Sequence, residues 1–245
     1  MNTNKLIVAL DVDNAQRARE LVAALRGVVG MFKIGSQLFT AAGPSLVREI
    51  ISSDERIFLD LKYHDIPNTV ALAGVEATRL GVSIFNLHAL GGNEMMQRTA
   101  EAVSECAQAE GFTRPLVIAV TVLTSANENT LTDVGYRTAP AELVARLALL
   151  AEASGMDGVV ASPREVSIVR SAVKHKNFVV ITPGIRPQGT ELGDQKRVTT
   201  PREAILAGAD YIVVGRPIIE APDPAHAARQ VLDEMESSAA NSVTI

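Results

Sequence analysis

Asp60, Lys62 and Asp65 place three charges of alternating sign within six residues, in the run Ile57-Phe-Leu-Asp60-Leu-Lys62-Tyr-His-Asp65-Ile-Pro-Asn-Thr69. The run opens apolar and bulky, as a buried strand does, and its charges fall towards the C-terminal end. Side chains alternate along a strand, so Asp60 and Lys62 share one face while Leu59 and Leu61 take the other. Burying an ion costs several kcal/mol unless it is paired, whereas an exposed pair contributes about 0–1 kcal/mol. Such a cluster at the end of a buried strand therefore asks for a functional reason. The plainer alternative is a solvated strand end with an incidental ion pair, and the surrounding elements decide between the two.

Strand and helix patterns alternate along the chain. Residues 6–10, 31–34, 57–61, 82–87, 115–123, 158–161, 178–181 and 211–214 read as strands. Asn14 is placed to cap the first helix, and Gly43-Pro44 to interrupt the second. Pro67 opens a helix over residues 67–80. Ser162-Pro-Arg-Glu165 and Thr200-Pro-Arg-Glu203 both have the form of a capping box with proline at the first helical position. Eight strands alternating with helices, without a linker of shifted composition, predict a single-domain (β/α)8 TIM barrel over residues 1–245, with 236–245 a frayed tail. Periodicity alone also allows an open doubly wound sheet. In the barrel the active site lies at the C-terminal strand ends. Asp11, Lys33, Asp60, Lys62, His88, Thr124, Arg186 and Arg216 all fall there, which favours a functional charge cluster.

After the seventh and eighth strands come Thr182-Pro-Gly-Ile-Arg186-Pro-Gln-Gly189 and Gly215-Arg216-Pro217. These positions are the frequent phosphate site of this fold. Glycine lets backbone N–H groups approach an anion, and arginine grips phosphate oxygens with a bidentate fork. The connection over residues 186–199 is long for a strand–helix junction and reads as a lid, with Gln195 able to reach a ligand. A solvated loop with arginines in surface pairs is the plainer reading.

The chain has 245 residues and a net charge of −5 with no basic block, so nucleic acid is not expected as a partner. The one cysteine, Cys106, reads as a small packed residue. Neither a signal-peptide pattern nor a long apolar run appears, which points to a cytoplasmic protein without a membrane span. His88 is expected to be a hydrogen-bonded structural histidine rather than an acid or base, and His64 to lie at the strand exit.

The run from Phe58 to Thr69 resembles the signature of the orotidine 5′-phosphate decarboxylase family. The resemblance extends through Val8-Ala-Leu-Asp11, Phe32-Lys33-Ile-Gly35, Ala119-Val-Thr-Val-Leu-Thr124-Ser125, the Arg186 loop, Gly193-Asp-Gln195 and Val214-Gly-Arg216-Pro217, and is closest to the bacterial branch. It implies decarboxylation of orotidine 5′-phosphate to uridine 5′-phosphate and carbon dioxide, with neither metal nor organic cofactor. It implies a homodimer with active sites at the interface. Lys33, Asp60, Lys62 and Asp65 would form the charged network, Lys62 supplying the proton. Asp65, Ile66 and Thr69 would act in the neighbouring subunit's site. Asp11 and Lys33 would contact the ribose, and Thr124, with Ser125 adjacent, the pyrimidine. Gln195, Gly215 and Arg216 would hold the phosphate, with Arg186 beside it. The Asp-x-Lys-x-x-Asp core is shared with a wider group that includes 3-keto-gulonate-phosphate decarboxylase. A magnesium-dependent decarboxylase of a sugar phosphate and a non-catalytic phosphate-ligand binder are therefore the alternatives.

Overall fold

A strand rich in Val, Ile and Leu on both faces needs cover on both sides, and helices supply it on the outside of a closed sheet. The computed structural model describes residues 3–187 and 199–236. Eight parallel strands close into a barrel in sequence order: β1 (Leu6–Ala9), β2 (Met31–Gly35), β3 (Ile57–Tyr63), β4 (Ile84–His88), β5 (Leu116–Val120), β6 (Gly158–Val160), β7 (Val179–Thr182) and β8 (Tyr211–Val214). Closure is made by β1, where Val8 pairs with Phe32 on one side and with Val214 on the other. The open-sheet alternative is thereby removed.

The outer ring comprises α1 (Ala15–Leu25), α2 (Ser36–Ser52), α3 (Pro67–Leu80), α4 (Gly92–Glu110), α5 (Glu128–Asp133), α6 (Pro140–Ala153), α7 (Val166–Ala172), α8 (Pro201–Leu206), α9 (Arg216–Ile219) and α10 (Pro224–Glu236). Local chemistry sets their starts. Asn14 accepts the Arg17 N–H at 2.8 Å ahead of α1. The Thr200 hydroxyl accepts from the Glu203 N–H while the Glu203 carboxylate accepts from the Thr200 N–H, so the box before α8 forms as its sequence predicts. Gly43 takes a left-handed φ of 67° beside Pro44 and kinks α2 without ending it. α5, capped by Asn127, is an addition to the predicted elements.

Two apolar layers follow from the strand alternation. Outward residues such as Leu6, Val8, Leu59, Phe85 and Val180 pack under the helices. Inward residues such as Ile7, Met31, Phe58, Ile84, Ile118, Ile181 and Val213 fill the barrel. At β6 the inward filling is small for a reason. Gly158 sits opposite Val179, and a Cβ there would lie 2.1 Å from the Val179 carbonyl oxygen. No described helix is long and apolar enough to cross a membrane. The tail expected to fray falls, beyond Glu236, outside the described residues.

Candidate active site

On β2, β3 and β4 the inward face is apolar at the bottom of the barrel and polar at the top. On β2 Met31 is followed two residues later by Lys33, on β3 Phe58 by Asp60 and Lys62, and on β4 Ile84 by Asn86 and His88. One alternation therefore supplies both the core and the site. The mouth encloses a cavity of about 420 Å³, lined by Asp11, Lys33, Asp60, Lys62, Thr124, Arg186, Gly215 and Arg216 above Phe58, Ile181 and Val213.

Asp60 is the hub of the charge array. Its Oδ1 lies 2.6 Å from Lys62 Nζ and its Oδ2 lies 3.3 Å from Lys33 Nζ. Asn86 Nδ2 donates to the same Oδ1 at 2.7 Å. Lys33 Nζ also donates to Asp11 Oδ1 at 3.0 Å. Burial opposes the charge on Asp60, but Lys33 and Lys62, with the hydrogen bonds from Lys62 and Asn86, outweigh it and lower the carboxyl pKa. Burial likewise opposes the charge on Lys33, and Asp60 and Asp11 outweigh it and raise the ammonium pKa. Both shifts hold the charged forms at neutral pH. Lys33 is buried and Asp60 nearly so because each is paired, while Asp11 and Lys62 keep more contact with solvent.

Asp60 and Lys62 do share a side, but not on a regular strand. Lys62 has a left-handed φ of 54°. Leu59 pairs with Phe85 and Tyr63 with Leu87, so the ladder advances four residues on β3 (63 − 59) for two on β4 (87 − 85). This irregularity takes the Lys62 N–H out of the ladder, and Asn86 Oδ1 accepts it at 2.8 Å. Left-handed backbone at a residue with a Cβ is costly and persists where surrounding contacts over-determine it. Asn86 is fully buried, and no motif in the sequence marks it for a role. The available signal was a polar side chain at an inward position of an otherwise apolar strand.

At the opposite rim, Arg186 is buried and its Nη1 donates to the Ile185 carbonyl at 3.0 Å. Gly215 precedes α9, where a Cβ would lie 3.4 Å from Asp11 Oδ2. The ends of the long connection are joined by a bridge between Ile185 and Thr199, with the Arg186 N–H donating to the Thr199 carbonyl at 3.1 Å. Gln195 and the rest of the expected lid, residues 188–198, lie outside the described residues.

Asp65, Ile66 and Thr69 do not line the cavity of their own chain. All three are exposed, Ile66 by 66%, at the entry to α3. Asp65 Oδ1 accepts the Ile66 N–H at 2.6 Å. The hydrogen bond expected of His88 is not made at Nδ1 among the described residues. That nitrogen is buried, and the ring packs against that of His64 with centroids 5.4 Å apart. Burial, then His64 and Lys62, lower the His88 pKa against the opposing effect of Asp60, so the imidazole is held neutral. The inward strand position put His88 where burial, rather than a partner, governs it.

Comparison with known proteins gives a consistent result. The family described as "Orotidine 5'-phosphate decarboxylase / HUMPS family" matches residues 4–231. The chain is 53% identical to orotidine 5′-phosphate decarboxylase of Syntrophotalea carbinolica, over 96% of each chain. It is 54% identical to the protein of that name from Geobacter sulfurreducens, over 94% of this chain and 95% of the relative. The crystal structure of orotidine 5′-phosphate decarboxylase from Lactobacillus acidophilus superposes with a TM-score of 0.83 at 36% identity, covering 94% of this chain and 98% of that one. By its fold, its motifs and these relatives, the chain belongs to the orotidine 5′-phosphate decarboxylase / HUMPS family.

Proposed function

We propose that this chain decarboxylates orotidine 5′-phosphate to uridine 5′-phosphate and carbon dioxide, without metal or organic cofactor. The observation that carries the reading is the Lys62 ammonium held 2.6 Å from a part-buried Asp60, whose other oxygen is engaged by Lys33. Breaking the bond between the ring and its carboxylate releases carbon dioxide and leaves the electron pair on a ring carbon. No adjacent ketone absorbs that pair. The fixed ammonium of Lys62 meets the charge as it forms, at no cost of reorganisation. Lys62 then transfers a proton from Nζ to the carbon and is itself re-protonated from solvent.

In this reading Asp60 faces the departing carboxylate, Asp11 and Lys33 hold the ribose, and Thr124 meets the pyrimidine. Arg216, Gly215 and Gln195 hold the phosphate beside Arg186. Phosphate binding far from the reacting carbon contributes energy that is realised at the transition state. The working unit is a homodimer in which Asp65, Ile66 and Thr69 enter the partner's cavity. Their exposure at one entry to α3, beside the exposed Leu72, supports this arrangement. The setting is the cytoplasm, in keeping with a single, buried cysteine.

The test follows the loss of orotidine 5′-phosphate by ultraviolet absorbance, with and without excess EDTA. Conversion to uridine 5′-phosphate at the same rate in both is the expected result. No conversion, or activity that needs added magnesium, would move the assignment to the sugar-phosphate branch and reopen the roles of Asp60 and Asp65.

A further inference from the structure

We propose that Asn86 is a positioning residue for the decarboxylation, a clamp that fixes Asp60 and the backbone of Lys62 in one geometry. The inference rests on the roles proposed for Asp60 and Lys62. A single carboxamide spans both. Its Nδ2 donates to Asp60 Oδ1 at 2.7 Å and its Oδ1 accepts from the Lys62 N–H at 2.8 Å. Asn86 is fully buried, so no water competes for either bond.

The clamp answers a problem set by β3. The left-handed turn at Lys62 directs the side chain to the mouth, and it strips the Lys62 N–H of its ladder partner. An orphaned N–H would drive the backbone out of this bulged conformation, and the present 2.6 Å placement of the Lys62 ammonium against Asp60 would be lost with it. The amide oxygen of Asn86 removes that drive. Its amino group closes the second side of Asp60 Oδ1, so the carboxylate cannot rotate out of line with Lys33 and Lys62. Asparagine suits this position because it presents one donor and one acceptor in a fixed plane. A carboxylate of the same shape has no donor to offer Asp60.

Asn86→Asp is therefore the discriminating variant. Its side chain still accepts from Lys62, but two carboxylates then meet at hydrogen-bond distance and must share a proton. The charged and titratable groups facing position 86 are Asp60 and Lys62 on β3, Lys33 beyond them on β2, and His88 on β4 itself. All are common to the wild type, so the difference between the two pH profiles isolates position 86. The expected result at high pH is a kcat lowered by about 100-fold, the scale of a misplaced catalytic group. The loss should shrink as pH falls and the shared proton restores a donor. KM should stay within about three-fold, because Asn86 serves neither the ribose nor the phosphate. Asn86→Ser, which is small and polar, gives the same separation of kcat from KM where Asn86→Asp does not fold. A folded variant with kcat within about three-fold of wild type across neutral pH, or with its loss carried by KM, overturns the proposal. Failure of the activity reading is distinct, since there the wild type itself would not turn over.

Discussion

Replacing Lys62 by glycine and, separately, by alanine tests the bulged backbone and the chemistry together. Both variants delete the ammonium, so the lost 2.6 Å contact with Asp60 is the same in each and cancels from the comparison. Asp60 keeps Lys33 at 3.3 Å and Asn86 at 2.7 Å, so neither variant leaves it unpaired. What differs is the peptide at φ 54°. A residue with a Cβ pays about 1–2 kcal/mol to stand in left-handed conformation. Glycine escapes that cost but gives up about 0.5–1 kcal/mol more chain entropy on folding. Lys62→Gly should therefore be the more stable variant, by about 0.75 kcal/mol at the centre of those ranges and at most about 1.5 kcal/mol, a rise of about 2–3 °C and at most about 6 °C in melting temperature for a chain of this length. Matched thermal melts by circular dichroism read the difference, and the orotidine 5′-phosphate assay reads turnover, which both variants should have nearly lost. An alanine variant that melts at or above the glycine variant would refute the left-handed turn. Near-normal turnover in either would refute the role given to Lys62.

Two further perturbations probe the scaffold and the proposed dimer. Gly158→Ala puts a methyl group 2.1 Å from the Val179 carbonyl oxygen in a paired strand, so it should separate β6 from β7. Its yield of soluble, cooperatively melting protein should collapse, and a normal melt would contradict that register. Lys62→Ala and Asp65→Ala should each be inactive, yet mixing them under conditions of subunit exchange should restore part of the activity through hybrid dimers. Absence of rescue despite demonstrated exchange would contradict a site completed across the interface.

Much of this molecule is legible in its sequence because much of it is local. The bounds of α3 and β8 follow from Pro67 and from a short apolar run, and the box at Thr200 and Glu203 needs only four residues to form. Asp11, Lys33, Asp60, Lys62, Thr124, Arg186, Gly215 and Arg216 converge on one cavity because each lies near or just beyond the C-terminal end of a strand, and the fold brings those ends together. What escapes the sequence is relational. The choice between closed and open sheet depends on Leu6 meeting Ile212, residues at opposite ends of the chain. The clamp at Asn86 depends on how far β3 slips against β4. α5 lies in a polar stretch whose only helical signal is the cap at Asn127.

The four side chains of the charge array, Asp11, Lys33, Asp60 and Lys62, carry as many positive as negative charges. Seen from beyond the mouth they act as a multipole, whose field fades faster with distance than that of a net charge. They are strong at contact and nearly silent at the range where a diffusing nucleotide first meets the protein. In a chain of net charge −5, long-range attraction for an anionic ligand then falls to cations outside the array, and Arg186 and Arg216 line the same cavity. Added salt screens that outer field well before it weakens contacts as short as those around Asp60. One cavity thus separates capture, which is sensitive to ionic strength, from bond breaking, which is sheltered from it.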